Sequence, residues 1–156
     1  MVRQLTRFRF SFAVTVLVAA VGAAYAHVRV RPSEALSGAS EKYTVRVPNE
    51  KTVATVEVQV EFPAGVQVSA VDEKAGWRLE EKRSGGKTVG AVWSGAHLAP
   101  KEIVEFTFTA QNPNEETTLV WKAVQIYEDG SRSEWTGPAG SRSPAPTTVI
   151  KNSKTK

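Results

Sequence analysis

At 156 residues the chain is long enough for one domain with a packed core and short for two. Hydrophobic residues make up 41% and charged residues 23%, with four Trp, three Tyr and six Phe, which is a folding rather than a disordered composition. The absence of Cys excludes disulfide scaffolds, thiolate metal sites and cysteine nucleophiles, while a formal charge of +4 invites a nucleic-acid or membrane-surface role until its distribution is known.

The chain begins with Arg3, Arg7 and Arg9 and no acid, runs apolar from Phe12 to Ala24, and reaches Ala24-Tyr25-Ala26. A basic start, a short apolar run and small residues at a cleavage point define a secretory signal peptide. Residues 1–26 are therefore expected to be removed between Ala26 and His27. The apolar run of 13 residues falls short of the roughly 20 needed to span a bilayer, and no second such stretch follows. The mature protein is expected to be periplasmic or secreted, without a membrane span. Of the 20 basic residues, three lie in this leader and three more, Lys151, Lys154 and Lys156, in the last six residues. Residues 27–150 keep fourteen basic residues against sixteen acidic ones, so the basic balance belongs to the export signal and a disordered 151–156 tail. Nucleic-acid binding loses its support.

From His27 onward apolar and polar residues alternate with period two, broken every eight to twelve residues by turn signals, the pattern of an all-β sandwich or barrel. Strands are predicted at Val28-Arg31, Tyr43-Val47, Val53-Phe62, Val66-Val71, Trp77-Lys82, Thr88-Trp93, Ile103-Ala110, Thr118-Tyr127, Ser131-Thr136 and near Thr147-Ile150. In Val53-Phe62, Val56, Val58, Val60 and Phe62 should face the core, with Thr55, Glu57, Gln59 and Glu61 outward. Asp129-Gly130 predicts a two-residue type I′ hairpin turn, which sets Trp135 across from Val124 and Glu134 across from Gln125. Trp135 would then pack in the core against Val124 and Ile126, with Glu134 on the opposite face. Trp77, Trp93 and Trp121 lie in alternating segments and read as core.

Cleavage gives His27 a free α-amine. That amine and the imidazole Nδ1 can close a six-membered chelate ring on one metal, and a second bond from the same residue costs little further entropy. Nitrogen donors completed by carboxylate or water in a tetragonal set suit Cu(II) above other first-row divalent ions. The mature chain holds neither Cys nor Met, hence no soft ligand for Cu(I) and no thiolate for a blue-copper centre. The other histidine, His97, lies in Ser94-Gly95-Ala96-His97-Leu98-Ala99-Pro100 and reads as a loop residue; as a second ligand it would make a two-histidine brace. The adjacent acids Asp72-Glu73, Glu80-Glu81 and Glu115-Glu116 splay apart on extended chain and do not make a catalytic pair. No phosphate loop, HExxH or GxSxG pattern is present.

The stretches His27-Val28-Arg29-Val30-Arg31-Pro32, Glu41 to Lys51 (EKYTVRVPNEK), Ala75-Gly76-Trp77, Val104-Glu105-Phe106, Asn112-Pro113, and Asp129-Gly130 followed by Glu134-Trp135-Thr136-Gly137 resemble, in order and spacing, the YcnI-like (DUF1775) extracytoplasmic copper-binding domain family. The resemblance covers residues 27–150. It implies an all-β domain, a cupredoxin-like or immunoglobulin-like β-sandwich, that binds Cu(II) through a single-histidine brace at the mature N-terminus with a carboxylate ligand and a nearby Trp. On this chain the brace maps to His27, the carboxylate to Glu50 and the Trp, beyond the ligands themselves, to Trp135, with Glu134 as the rival carboxylate. The family association also implies copper chaperones or a copper-transporting membrane protein as partners. The expected function is copper homeostasis or trafficking rather than catalysis. Two alternatives stand beside it: a copper-dependent oxidase or polysaccharide monooxygenase, which would need His97, and a metal-free sandwich used as an interaction module.

Overall fold

Residues 27–152 are described by a computed structural model; the expected signal peptide and the last four residues of the expected tail lie outside them. Twelve strands form among the described residues: β1 (Arg29–Arg31), β2 (Glu34–Leu36), β3 (Ser40–Pro48), β4 (Thr55–Glu61), β5 (Gln67–Val71), β6 (Arg78–Ser84), β7 (Lys87–Leu98), β8 (Ile103–Gln111), β9 (Thr117–Val120), β10 (Lys122–Tyr127), β11 (Arg132–Trp135) and β12 (Thr147–Lys151). They make a four-stranded sheet in the order β1-β3-β8-β5, a five-stranded sheet in the order β11-β10-β4-β7-β6, and a small sheet β2-β12-β9.

The two larger sheets face each other through their alternating apolar residues. Tyr43, Val45, Val47, Phe106 and Phe108 of the first meet Val58, Val60, Ala91, Trp93 and Ala123 of the second, all buried. Trp93 stacks on Phe106 with ring centroids 4.4 Å apart. Trp121 packs on Tyr43 at 4.8 Å, and Trp77, only partly buried, meets Phe106 edge-on at 5.1 Å. Trp93 and Trp121 are in the core as expected, whereas Trp77 packs against it from a partly buried position.

Four local expectations are corrected. The strand expected over Thr118-Tyr127 is two strands, because the chain changes sheets at Trp121: β9 pairs with β12 and β10 with β4. The Trp121 amide bonds Pro146 O at 2.9 Å, and its Nε1 donates to Thr148 Oγ1 at 3.1 Å, fixing the switch. The alternation expected in β4 breaks at Val56, where the register shifts against both neighbours, so Thr55 turns inward and is fully buried. The 128–130 hairpin is a three-residue loop rather than a type I′ turn. Gly130 N bonds Tyr127 O, Tyr127 N bonds Ser131 O, and of the two turn residues only Gly130 has positive φ, +78°. The register is thereby one residue off the expected one: Ala123 faces Trp135 and Val124 faces Glu134. Lastly, β12 runs through Lys151, whose Nζ pairs with Glu34 Oε2 at 2.7 Å, one residue into the segment expected to fray. β2, too short for a periodic signal, runs parallel to β12.

Candidate metal site at the His27 end

The one-residue change of register decides what lies beneath Trp135. Opposed residues share a face, so Trp135 stands with Ala123, Gln125 and Tyr127, all buried, rather than with the half-buried Val124 and Ile126. Glu134 lies with Val124 on the outer face, where Arg132 Nη2 pairs with it at 2.8 Å. Trp135 and Glu134 thus point opposite ways.

His27 precedes β1 and is half-buried. Its ring meets Trp135, centroids 5.3 Å apart at 59°. This contact joins the start of the first sheet to the edge strand of the second. The β1–β3 pairing begins with Arg29 opposite Arg46, so Pro48, the last residue of β3, lies toward the end from which His27 leads into β1. Glu50 follows two residues later, exposed.

The turn carrying Glu50 is held from inside. Asn49 is fully buried, and its Nδ2 donates to Val53 O at 2.8 Å and Leu98 O at 2.9 Å while its Oδ1 accepts from Lys51 N at 3.0 Å. A second strap crosses to the 128–130 hairpin: Lys51 Nζ donates to Ser131 Oγ at 2.9 Å and sits 4.1 Å above the Tyr127 ring. Burial pushes the Tyr127 phenol above its ordinary pKa; the Ser133 hydrogen bond opposes the rise, and the Asp129 and Glu50 carboxylates add to it. The Glu50 carboxylate is thereby within electrostatic range of the Tyr127 phenol.

Gln125 is the residue sequence reasoning missed. It is 1% exposed, and its Nε2 donates to Pro48 O at 3.1 Å and Thr55 Oγ1 at 2.7 Å. The bulge at Val56 is what brings Thr55 within reach. In sequence, a Gln between Val124 and Ile126 in an alternating strand signals the solvent face, and nothing there corrects the reading. Two buried polar atoms of this region, Gln125 Oε1 and Trp135 Nε1, have no hydrogen-bond partner among the described residues.

His97 is not in a loop. It lies in β7, in the irregular stretch where Ser94 opposes Glu57 and Leu98 opposes Thr55, and it is exposed.

Among the described residues no group of three or more His, Cys, Asp and Glu side chains is placed to hold a metal ion. A conventional site of three side chains is therefore not what the region offers. One imidazole and one carboxylate fit a metal cargo only when a main-chain amine adds a donor, and that amine exists only if the chain begins at His27. The unpartnered Gln125 Oε1 and Trp135 Nε1 are the polar atoms such a site would recruit around its ligands.

Among solved structures, a Nocardia farcinica protein described as having an immunoglobulin-like fold superposes with a TM-score of 0.71 at 26% identity, covering 80% of this chain and 97% of that one. A non-cellulosomal cohesin from Archaeoglobus fulgidus (TM-score 0.51, 10% identity, 80% and 90% covered) and the human F-spondin reeler domain (0.51, 11%, 80% and 91%) share the fold alone. The molecule is an all-β, immunoglobulin-like sandwich. The Bacillus subtilis (strain 168) copper-binding protein CutI is 34% identical over 133 residues, which cover 84% of this chain and 65% of that protein. The chain thus spans somewhat less than two thirds of that relative's length. Residues 27–150 match the family described as a domain of unknown function, DUF1775. By that match, the chain belongs to the DUF1775 family.

Proposed function

We propose that the protein is cut between Ala26 and His27, is exported to the periplasm or beyond, and there binds Cu(II) as a cargo in copper homeostasis or trafficking, without catalysis. His27 supplies the α-amine and Nδ1, Glu50 supplies an oxygen donor, and Trp135 is the apolar wall that limits water at the metal and orients the imidazole. The contact between the His27 and Trp135 rings carries this reading. It sets the one histidine that cleavage would turn into a chelate against a buried aromatic. The similarity to a Bacillus subtilis copper-binding protein supports it. Copper would be exchanged with an extracytoplasmic chaperone or a copper-transporting membrane protein.

Mass spectrometry of the exported protein gives its first residue, expected to be His27. EPR of Cu(II) on that species, compared with one that retains Ala26, tests the brace directly. Nitrogen hyperfine structure from two donors and at least hundredfold tighter binding are expected of the shorter form. Equal affinity and identical spectra from the two would sink the proposal. Glu50→Gln should weaken binding while Glu134→Gln, on the outer face, should not; the reverse ranking transfers the carboxylate role to Glu134.

A further inference from the structure

A histidine that binds metal through Nδ1 keeps an N–H at Nε2, and ligating imidazoles almost always give that second N–H to an acceptor, which fixes the tautomer and the ring angle. The acceptor must be close, oriented and free of another donor. Gln125 Oε1 has the last property: it is buried, and no donor among the described residues is bonded to it, so in this structure, where His27 is not the first residue of the chain, the position is open. Its orientation is fixed as well. Nε2 of the same amide faces the carbonyl oxygen of Pro48 and the Thr55 hydroxyl, and turning the amide over would press two carbonyl oxygens together.

The surroundings lead to His27. Pro48, which anchors the Gln125 amide, is the last residue of β3, the strand that β1 pairs with, at the end of the pairing from which His27 leads in. Trp135, which His27 touches, shares the inner face of the β10–β11 hairpin with Gln125, one cross-strand pair away. A buried Gln that leaves one acceptor unsatisfied costs stability, since an orphaned acceptor loses its hydration without replacement. The two Nε2 bonds account for an amide at this position but leave Oε1 without a role, so the oxygen points to a partner.

We propose that Gln125 is a positioning residue for His27, its Oε1 accepting the imidazole Nε2–H of the mature N-terminal residue so that Nδ1 is left unprotonated and aimed at the metal. The inference rests on the copper-brace reading above. Gln125 touches no metal itself. It acts through the histidine, and through Pro48 it ties the imidazole to the strand end from which the Glu50 turn departs.

The test uses mature protein beginning at His27 with ¹⁵N-labelled histidine. In the metal-free wild type, long-range ¹H–¹⁵N spectra should report His27 mainly as the Nε2–H tautomer, with that proton protected from exchange. Gln125→Leu should abolish the tautomer preference and weaken Cu(II) binding ten- to a hundredfold. Thr55→Val breaks the amide's other anchor while sparing Oε1, so it should lower the melting temperature with the tautomer kept and binding changed less than threefold. A wild-type His27 in the Nδ1–H form, or in fast exchange between tautomers, overturns the proposal even if no variant folds. So does a crystal structure of the mature protein with Oε1 bonded to Trp135 Nε1 or to a water instead, or a Thr55→Val variant that behaves like Gln125→Leu. If wild-type protein starting at His27 binds Cu(II) no better than the form retaining Ala26, the brace reading itself fails. If it binds tightly and Gln125→Leu matches it in tautomer and affinity, the brace stands and only the role of Gln125 falls.

Discussion

Asn49 shows how one buried amide can shape a site it does not enter. Its three hydrogen bonds close the 49–53 turn on itself and pin it to the end of β7, and its main chain adds two more, to Glu102 O at 2.9 Å and from Lys101 N at 2.7 Å. Asn49→Ala keeps the main-chain pair but strands two carbonyls and one amide. Unfolding in urea should show a loss of about 2–3 kcal/mol, because an orphaned buried polar group costs roughly 1–3 kcal/mol and part of the turn can rewet. Opposite Asn49, Lys101 carries φ of +68° in the Ala99 to Glu102 turn, which the Glu102 N to Ala99 O bond closes. An L residue there bears a left-handed conformation that glycine adopts freely. Lys101→Gly should stabilise the fold by about 0.5–1 kcal/mol in the same assay, the relief of strain exceeding the entropy that glycine loses. A destabilised variant would mean that the Lys101 side chain contributes more than its backbone costs.

At the scale of elements, four irregularities lie close together, the bulge at Val56, the irregular stretch of β7 before Leu98, the strained turn at Lys101 and the three-residue hairpin at 128–130, and two more register shifts lie in β5 and β6. Glycines differ in what surrounds them. A Cβ at Gly90, in β7, would lie 2.8 Å from Val60 O, whereas a Cβ at Gly130 would meet nothing within 4 Å. Gly130→Ala should therefore cost only its backbone strain, about 1–2 kcal/mol. Gly90→Ala, which has to push neighbouring backbone aside, should cost more, and thermal melts that rank the two in reverse would contradict the β4–β7 spacing. At the far edge of the first sheet, Asp72 follows β5, accepts from Thr107 Oγ1 at 2.5 Å and pairs with Lys42 Nζ at 2.8 Å. The Lys42 bond first, then that of Thr107, holds its carboxyl below the ordinary carboxylate range. The contribution is present above the unfolded-state value and is lost as pH falls through the lower folded-state value. Asp72→Asn should flatten the acid limb of a stability–pH curve while changing neutral stability by no more than about 1 kcal/mol, as suits an exposed pair.

The same scale explains what the sequence could and could not disclose. Nine of the twelve strands follow one by one from alternation and punctuation, and β9 and β10 as a single segment, because each buries one face and must keep period two. Trp121 breaks no alternation, so the change of sheet there was silent. Asp129-Gly130 promised a two-residue turn, but Asp129 keeps a negative φ and the loop takes in Glu128; a shift of one residue exchanged Val124 for Ala123 beneath Trp135 and turned Gln125 from a partner of Glu134 into an interior residue. In the proposed site, His27 is suggested by its place after an expected cleavage signal, and Glu50 and Trp135 by family resemblance. Asn49, Thr55 and Gln125 were not legible, since whether a polar side chain lies inside depends on bulges and long-range carbonyls.

For the whole molecule, the site proposed at His27 has a mechanical consequence. His27 leads into β1 of the first sheet, Trp135 and Gln125 belong to the second, and the Glu50 turn connects β3 of the first to β4 of the second. A copper ion held by His27 and Glu50 would bind the N-terminus to the edge between the sheets, and would do so only in the folded chain. Linkage then requires stabilisation by RT ln(1 + [Cu]/Kd), about 2.7 kcal/mol when free copper is a hundred times Kd. For a domain of this size that is a rise in Tm on the order of 10 °C. The rise should appear in calorimetry of protein beginning at His27, vanish on chelation, and shrink as pH is lowered, because both nitrogen donors must be deprotonated to bind metal. Protein retaining even Ala26 has an amide in place of the amine and should melt at the same temperature with or without copper. An equal rise in both forms would mean that copper stabilises the sandwich from somewhere other than its N-terminus.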